Sequence, residues 1–288
     1  MSKLRLGSDY IPLTEEDMLK VRAIISFSRL AWVTVSIPLF AFIFCIIWSV
    51  LYNFEHATAT HCKVYNFLPS VSATIGHYRP QKDVWKLAIA MQGVTRTLVL
   101  IMYYRYYKEH VYKWARYISN IVLSTYIVEN ISLVTLTFWT SDSNYAFHKL
   151  SFITFLLMSS IYMPLSYFVM KNCCNITRDL YETASIRWKW RAMMSNVLSI
   201  LLACYFFYRH NKYCEPLVYS MFALSEYGVV LSNMMFHSTA AWDFATSRVL
   251  ISGNDHTRVK SFLFIIVINS RTFERWKSEV SWKSLKVL

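Results

Sequence analysis

The chain has 288 residues, of which 55% are hydrophobic and only 16% are charged, and its net charge is +13. A charged fraction this far below about one quarter excludes an ordinary soluble domain and indicates an integral membrane protein. The lysine and arginine residues are scattered between apolar runs, which argues against nucleic acid as a partner and favours a membrane topology signal.

The first apolar run follows a polar N-terminal segment, residues 1–29. Residues 30–52 carry no charge, and at about 1.5 Å per residue they are long enough to cross a hydrocarbon core of about 30 Å. Because the run is longer than the apolar part of a signal peptide, we interpret it as a transmembrane helix. The loop that follows, residues 53–83, is too polar to lie in lipid, and its prolines predict turns.

Five further spans are predicted along the chain. They cover residues 84–104, 117–139, 150–170, 192–208 and 216–236. In the tail, residues 237–288, the apolar run 262–268 is too short to cross a membrane. We expect this run to lie on the membrane surface or to pack on the bundle. The predicted fold class is therefore all-α, a polytopic membrane bundle of about six transmembrane helices.

Orientation follows from the distribution of basic residues. With a cytosolic N-terminus, the N-terminal segment and the two cytosolic loops contain 14 lysine and arginine residues, against 7 on the other side. The positive-inside rule therefore places both termini, 1–29 and 237–288, in the cytosol. The loop 53–83 then faces the lumen or the exterior.

Three ionisable residues lie near the middle of predicted spans: Arg96, Glu129 and Glu226. A charge at that depth costs at least about 2.5–3.5 kcal/mol, so each side chain should face the bundle and find a partner. We expect Arg96 to pair with one glutamate, and Asn130 and Asn233 to join them in binding substrate. A structural ion pair that only sets the helix register is an equally open interpretation.

The six cysteines form no pair or cluster at zinc-ligand spacing, so we predict no metal site. Cys62 and Cys214 fall in predicted luminal loops, where they form either a disulfide or two free thiols. Cys173 and Cys174 follow the fourth span on the predicted cytosolic side. There, S-palmitoylation and unmodified thiols are both compatible with the sequence.

A bridge between the luminal loops would bring His61 and His210 together. Histidine is the usual general base for acyl transfer, and Ser70 and Ser72 offer nucleophilic hydroxyls. Arg209, in the same loops, is expected to neutralise a phosphate group. The alternative is that each histidine has only a hydrogen-bonding role.

Several separate blocks also carry a family resemblance. They are TATHC at 58–62, NFLPSVS at 66–72, VEN at 128–130, YRHNKYCE at 208–215 and FHSTAAWDF at 236–244. In this order the chain resembles the Frag1/DRAM/Sfk1 family over about residues 20–250. The resemblance implies a multi-pass protein of the Golgi apparatus or endoplasmic reticulum membrane that acts in GPI-anchor biosynthesis and lipid remodelling.

The implied activity is that of an acyltransferase, which returns a saturated chain to the lyso-GPI intermediate and so supports transport of GPI-anchored proteins to the surface. The implied partners are the lipid moiety of GPI-anchored proteins and membrane lipids. No bound cofactor is expected, and the acyl donor is either acyl-CoA or a phospholipid. Two alternatives stay open: a non-catalytic subunit that presents the lipid to a partner acyltransferase, and a lipid translocator.

Overall fold

The computed structural model describes residues 4–6, 9–11, 21–140, 143–175, 180–252 and 264–269. Six long helices dominate this part of the chain. They are α1 (Phe27–Tyr52), α4 (Gln81–His110), α5 (Arg116–Phe138), α6 (Tyr145–Asn172), α7 (Leu180–Tyr213) and α8 (Val218–Ser238). The short elements are α2 (Phe54–Thr58), α3 (Val71–Gly76), a 3₁₀ turn (Lys113–Ala115), α9 (Ala240–Asp243) and five strands, β1 (Leu4–Leu6), β2 (Asp9–Ile11), β3 (Val21–Ser26), β4 (Ser247–Ser252) and β5 (Phe264–Asn269).

Five helices, α1, α4, α5 with its preceding turn, α6 and α7, are long and apolar enough to cross a membrane. The helix α8 is not among them, although its 21 residues span roughly 30 Å at the usual helical rise. Its lower apolarity comes from a buried polar face that includes Ser225, Glu226, Asn233 and His237. The prediction of a polytopic helical membrane protein is confirmed.

The helices extend beyond the apolar runs that predicted them. The largest difference is at α7, which begins at Leu180, whereas its predicted span is 192–208. Arg187, Lys189 and Arg191 interrupt the apolar run in the sequence, but the ammonium group of Lys189 is buried and donates to Ser185 Oγ at 2.8 Å. A charged side chain that is satisfied inside the bundle is therefore compatible with a continuous helix, and hydropathy alone underestimates the helix length.

The chain divides into two compact units, residues 33–239 and residues 1–32 with 240–288. In the second unit, β3, β4 and β5 form an antiparallel sheet in that order. The run 262–268, expected on the membrane surface or against the bundle, instead contributes the strand β5 from Phe264 onwards. Its isoleucine and valine residues favour strand over helix. The all-α prediction is confirmed for the membrane bundle, and the terminal unit adds this sheet.

Within the membrane unit, α1, α4 and α8 meet around Phe42. The Phe42 ring contacts Trp85 of α4 at 6.2 Å and Tyr227 of α8 at 5.3 Å between centroids. The Tyr227 hydroxyl in turn donates to the Pro69 carbonyl at 2.7 Å. The buried core therefore also fixes the segment between α2 and α3, which carries several predicted site residues.

The connecting segments alternate between two ends of the membrane unit. At one end, the Leu217 N–H donates to the Tyr65 carbonyl at 3.0 Å. At the other, the Tyr112 N–H donates to the Cys173 carbonyl, also at 3.0 Å. This alternation is the one that successive membrane crossings require.

Gly228 of α8 lies where this helix packs closely on α7. A Cβ at this position would overlap Ser199 Oγ and lie 3.1 Å from Ser199 Cβ. We therefore expect Gly228→Ala to lower the free energy of unfolding by about 1–3 kcal/mol through overpacking. Thermal unfolding of the purified protein in detergent measures this effect.

The matched control is Gly93→Ala in α4, where the added Cβ would lie 3.4 Å from Val134 Cγ2, an ordinary contact. Because alanine favours helix over glycine by about 1 kcal/mol, this variant should be as stable as the wild type or more stable. Equal melting temperatures for the two variants would contradict the close approach of α7 and α8 at Gly228.

Candidate functional site

A buried group of polar side chains lies inside the bundle. We call it the central cluster; it consists of Arg96 (α4), Glu129 (α5), Ser159 (α6), and Asn233 and His237 (α8). Glu129 Oε1 accepts from Asn233 Nδ2 at 2.7 Å and lies 3.2 Å from His237 Nε2. Asn233 Nδ2 also donates to Ser159 Oγ at 2.9 Å. Four helices therefore meet at a single carboxylate.

Arg96 is the least satisfied member of the central cluster. It is 1% exposed, and its Nη2 lies 3.7 Å from Glu129 Oε1, close enough for an ion pair but too far for a hydrogen bond. None of its side-chain nitrogens, nor Glu129 Oε2, has a hydrogen-bond partner among the described residues. A buried hydrogen-bond donor without a partner has an energetic cost. An anion that accepted hydrogen bonds from this guanidinium group would remove that cost.

Two tyrosines surround the charged groups of the central cluster. Tyr162 stacks on the His237 ring, with centroids 5.4 Å apart and planes at 7°. The Tyr126 ring lies 5.5 Å from the Arg96 guanidinium carbon, and its hydroxyl donates to the Arg96 carbonyl at 3.2 Å. These rings hold the histidine and the arginine in place and exclude other groups from two sides.

The sequence analysis missed Tyr126, Ser159 and Tyr162. Helical spacing could have identified Tyr126, because it precedes Glu129 by three residues and therefore lies on the same face of α5. Ser159 and Tyr162 share the same spacing on α6. They are uncharged residues in a hydrophobic run, so they stand out only once α6 is known to contact α5.

Two predicted members lie apart from the central cluster. Glu226 Oε2 accepts from the Val71 N–H at 3.0 Å, at the start of α3. Glu226 and Asn233 are separated by about two helical turns, roughly 10 Å, and the glutamate that pairs with Arg96 is Glu129. Asn130 is half-buried, and its Oδ1 has no partner in the described part of the chain. As the neighbour of Glu129, it points to a different side of α5.

A second candidate region lies at the end of the bundle that carries the Cys62–Cys214 disulfide, which links positions 152 residues apart in the sequence. We call this the disulfide end. The adjacent rings of His61 and His210 are 5.4 Å apart. His61 is exposed, whereas His210 is 1% exposed and neither of its ring nitrogens has a hydrogen-bond partner among the described residues. The two predicted bases are therefore brought together in different environments.

Arg209, predicted to neutralise a phosphate, already has protein partners. Its guanidinium group forms an ion pair with Glu215 and donates to the Tyr205 hydroxyl at 3.0 Å. Both members of this ion pair are more than one third exposed, so it contributes little stability and can exchange for another anion.

A ring nitrogen of His61 and the sulfurs of Cys62 and Cys214 lie within 4.8 Å of one another. Because the two sulfurs are bonded to each other, neither is a thiolate that can ligate a metal ion. At the opposite end of the bundle, Cys173 is completely buried, and burial raises the pKa of its thiol. Both features disfavour palmitoylation of Cys173, whereas Cys174 is half-buried.

The two predicted serine nucleophiles have different surroundings. Ser70 is buried and caps α3, its hydroxyl accepting from the Ala73 N–H at 3.2 Å. Ser72 is half-buried, and its Oγ lies 3.3 Å from Nε2 of His148 in the first turn of α6. The sequence analysis did not select His148.

Comparison with known proteins adds the family. Residues 26–247 match the Frag1/DRAM/Sfk1/Cwh43P N-terminal domain. "Post-GPI attachment to proteins factor 2" of Drosophila pseudoobscura pseudoobscura is 44% identical over 224 residues, 78% of this chain and 88% of the relative. "Acyltransferase PGAP2" of Xenopus tropicalis is 41% identical over 235 residues, 81% of this chain and 93% of the relative.

A nematode relative extends the range of similarity. "Post-GPI attachment to proteins factor 2" of Caenorhabditis elegans is 33% identical over 224 residues, covering 76% of this chain and 85% of the relative. No solved structure matches the chain. The domain match covers most of the bundle, and the relatives align with most of their own length. The chain therefore belongs to the Frag1/DRAM/Sfk1 family.

Proposed function

We propose that this protein remodels the lipid of GPI anchors by returning a saturated acyl chain to the lyso-GPI intermediate. The names of its relatives support this function, since several are called post-GPI attachment factors and those from Xenopus tropicalis and Danio rerio are called acyltransferases. Through this step the protein would support surface expression of GPI-anchored proteins, working in the membrane of the Golgi apparatus or endoplasmic reticulum.

The observation that carries the proposal is the Arg96 guanidinium group, which is buried in the bundle without hydrogen-bond partners among the described residues. A phosphatidylinositol-based lipid carries a phosphodiester, and guanidinium groups bind phosphate oxygens with two parallel hydrogen bonds. Glu129 Oε2 lies in the same cluster without a hydrogen-bond partner in the described part of the chain, and it is able to accept from a head-group hydroxyl. The central cluster thus offers groups that would bind the phosphate and a head-group hydroxyl of the lipid.

The disulfide end is assigned to the lumen or exterior. Disulfides persist in oxidising compartments, and Cys62–Cys214 lies at this end. The distribution of basic residues leads to the same orientation, with both termini in the cytosol. Lys63 is exposed, and Arg209 contacts Glu215 and Tyr205 at the surface, so both would be available to the anchor's polar head. There His61 or His210 is one candidate for the base that deprotonates the acceptor hydroxyl.

A second candidate function is lipid presentation or translocation without catalysis. Arg96, Glu129 and Ser159 each lie near the middle of their helices. A phosphate held there would lie well below the histidines at the disulfide end. This depth suits a protein that carries a lipid through the membrane or offers it to a separate acyltransferase.

The cellular role is tested by mass spectrometry of GPI anchors. Cells that lack their own relative of this protein are complemented with the full chain, and the lipid is released from a surface GPI-anchored protein. We expect anchors with a restored saturated chain after complementation and a larger surface pool of that protein. Unchanged anchor lipids, with the protein present in the membrane, would contradict the proposed function.

A further inference from the structure

The pair formed by Ser72 and His148 lies at the disulfide end, outside the central cluster. Ser72 belongs to α3 and His148 to α6, and 76 positions separate them in the chain. Their side chains meet with Oγ and Nε2 3.3 Å apart, and both are half-buried. Partial burial shields the hydroxyl from water and still leaves it accessible to a substrate at the membrane surface.

The other ring nitrogen of His148 determines the tautomer. Nδ1 lies 2.9 Å from the Trp139 carbonyl oxygen. A carbonyl oxygen only accepts, so in the neutral ring Nδ1 carries the hydrogen and donates it. The lone pair of Nε2 then faces the Ser72 hydroxyl. A hydroxyl, an imidazole and a third group that orients the imidazole form the arrangement that activates serine nucleophiles.

The neighbouring candidates do not offer the same arrangement. The Ser70 hydroxyl is used as the cap of α3. His61 Nε2 lies 3.3 Å from Cys62 Sγ, a disulfide sulfur, and His210 has no hydrogen-bond partner at either ring nitrogen among the described residues. Neither of these histidines is placed against a hydroxyl in the part of the chain that the structure describes, whereas His148 is.

We propose that Ser72 is the nucleophile of a two-step acyl transfer and that His148 is its general base, an inference that rests on the function proposed above. In the first step, Ser72 Oγ bonds to the acyl carbonyl carbon of an ester or thioester donor while His148 Nε2 takes the hydroxyl proton. The bond from this carbon to the donor oxygen or sulfur breaks, and that atom leaves with the proton from His148.

In the second step, the free hydroxyl of the lyso-lipid attacks the acyl ester on Ser72. His148 takes the proton of this hydroxyl and returns it to Ser72 Oγ as the ester bond breaks. The lyso-lipid gains the chain, the serine is regenerated, and no oxidant or reductant is needed.

The acyl group on Ser72 is the measurable intermediate. The purified full chain in liposomes is incubated with an alkyne-tagged acyl-CoA or an alkyne-tagged phosphatidylcholine, without lyso-lipid, and quenched in acid. We expect one acyl group on the peptide that contains Ser72, released when lyso-GPI is added, and none in Ser72→Ala. His148→Gln is expected to slow its formation by roughly 100-fold or more.

Two variants separate chemistry from folding. Ser72→Cys keeps a nucleophile at the same position, so it should carry the chain as a thioester that neutral hydroxylamine cleaves, unlike the serine ester. Ser70→Ala removes the cap of α3 and leaves the Ser72 hydroxyl in place, so this variant should still be acylated at Ser72. Comparable melting temperatures for the Ser72 variants show that they are folded.

The two proposals fail in different ways. Wild-type reacylation of lyso-GPI by folded Ser72→Ala, or turnover with no acyl group on Ser72, would overturn the role of Ser72 and leave the proposed function standing. An acyl group on Ser72 that is never passed to lyso-GPI would support the nucleophile and overturn the proposed function.

Discussion

The double variant Arg96→Met/Glu129→Gln is expected to fold but to bind lyso-GPI at least about 100-fold more weakly than the wild type. Two charge-assisted hydrogen bonds to a phosphate are worth about 1.5–3 kcal/mol each, and methionine supplies neither. Arg96→Met alone should instead be destabilised by about 3–5 kcal/mol, because it leaves the Glu129 carboxylate buried without its cation. Replacing both groups removes this penalty.

The measurement combines thermal unfolding with binding of lyso-GPI to the reconstituted protein. Glu129→Gln alone keeps the hydrogen bond from Asn233 but leaves the guanidinium group buried without its counter-ion, so we expect it to be destabilised as Arg96→Met is. If the double variant folds and binds lyso-GPI as the wild type does, the Arg96–Glu129 pair is only a structural ion pair. That result would remove the central cluster from the proposed site.

Removal of the disulfide is the second large effect. Cys62→Ser should lower the free energy of unfolding by about 2–5 kcal/mol, because the bridge joins positions 152 residues apart and restricts the unfolded chain. Activity should fall with stability, since the bridge also holds the segment that carries His61 next to the end of α7. Thermal unfolding with and without a reducing agent measures the effect.

The matched control for the disulfide is Cys204→Ser, which changes an exposed free cysteine of α7 and should melt like the wild type. The reducing agent should shift the melting temperature of wild type and Cys204→Ser but not that of Cys62→Ser. Mass mapping that finds Cys62 as a free thiol in the untreated protein would contradict the bridge.

The helices of the bundle could be predicted because each contains a predominantly apolar stretch, which in residues 30–52 carries no charge. Their ends could not, because α7 continues past Arg187 and Lys189: the Arg187 side chain is exposed, and the buried Lys189 ammonium group donates to Ser185 and Thr239. The terminal sheet was not predicted, because β3 pairs with β4 from the other end of the chain, and local patterns do not indicate distant pairing.

Part of the candidate site could be predicted, because a charged residue inside an apolar run stands out in the sequence. Arg96 and Glu129 are charges in apolar runs, and their depth alone indicates burial. Glu226 satisfied the same criterion, but its partner is the backbone N–H of Val71 in a distant segment. His148 lies in a short polar linker where a histidine is unremarkable, so only the fold reveals that it faces Ser72.

The most direct test of the proposed reaction is reacylation of lyso-GPI by the purified full chain in liposomes that contain no other acyltransferase. Defined acyl-CoA and phospholipid donors are supplied separately, and the lipid product is identified by mass spectrometry. We predict a GPI lipid with a restored saturated chain from the wild-type protein and none from Ser72→Ala. Binding of lyso-GPI without product from either donor would contradict catalysis by this chain and favour a subunit that presents the lipid to another enzyme.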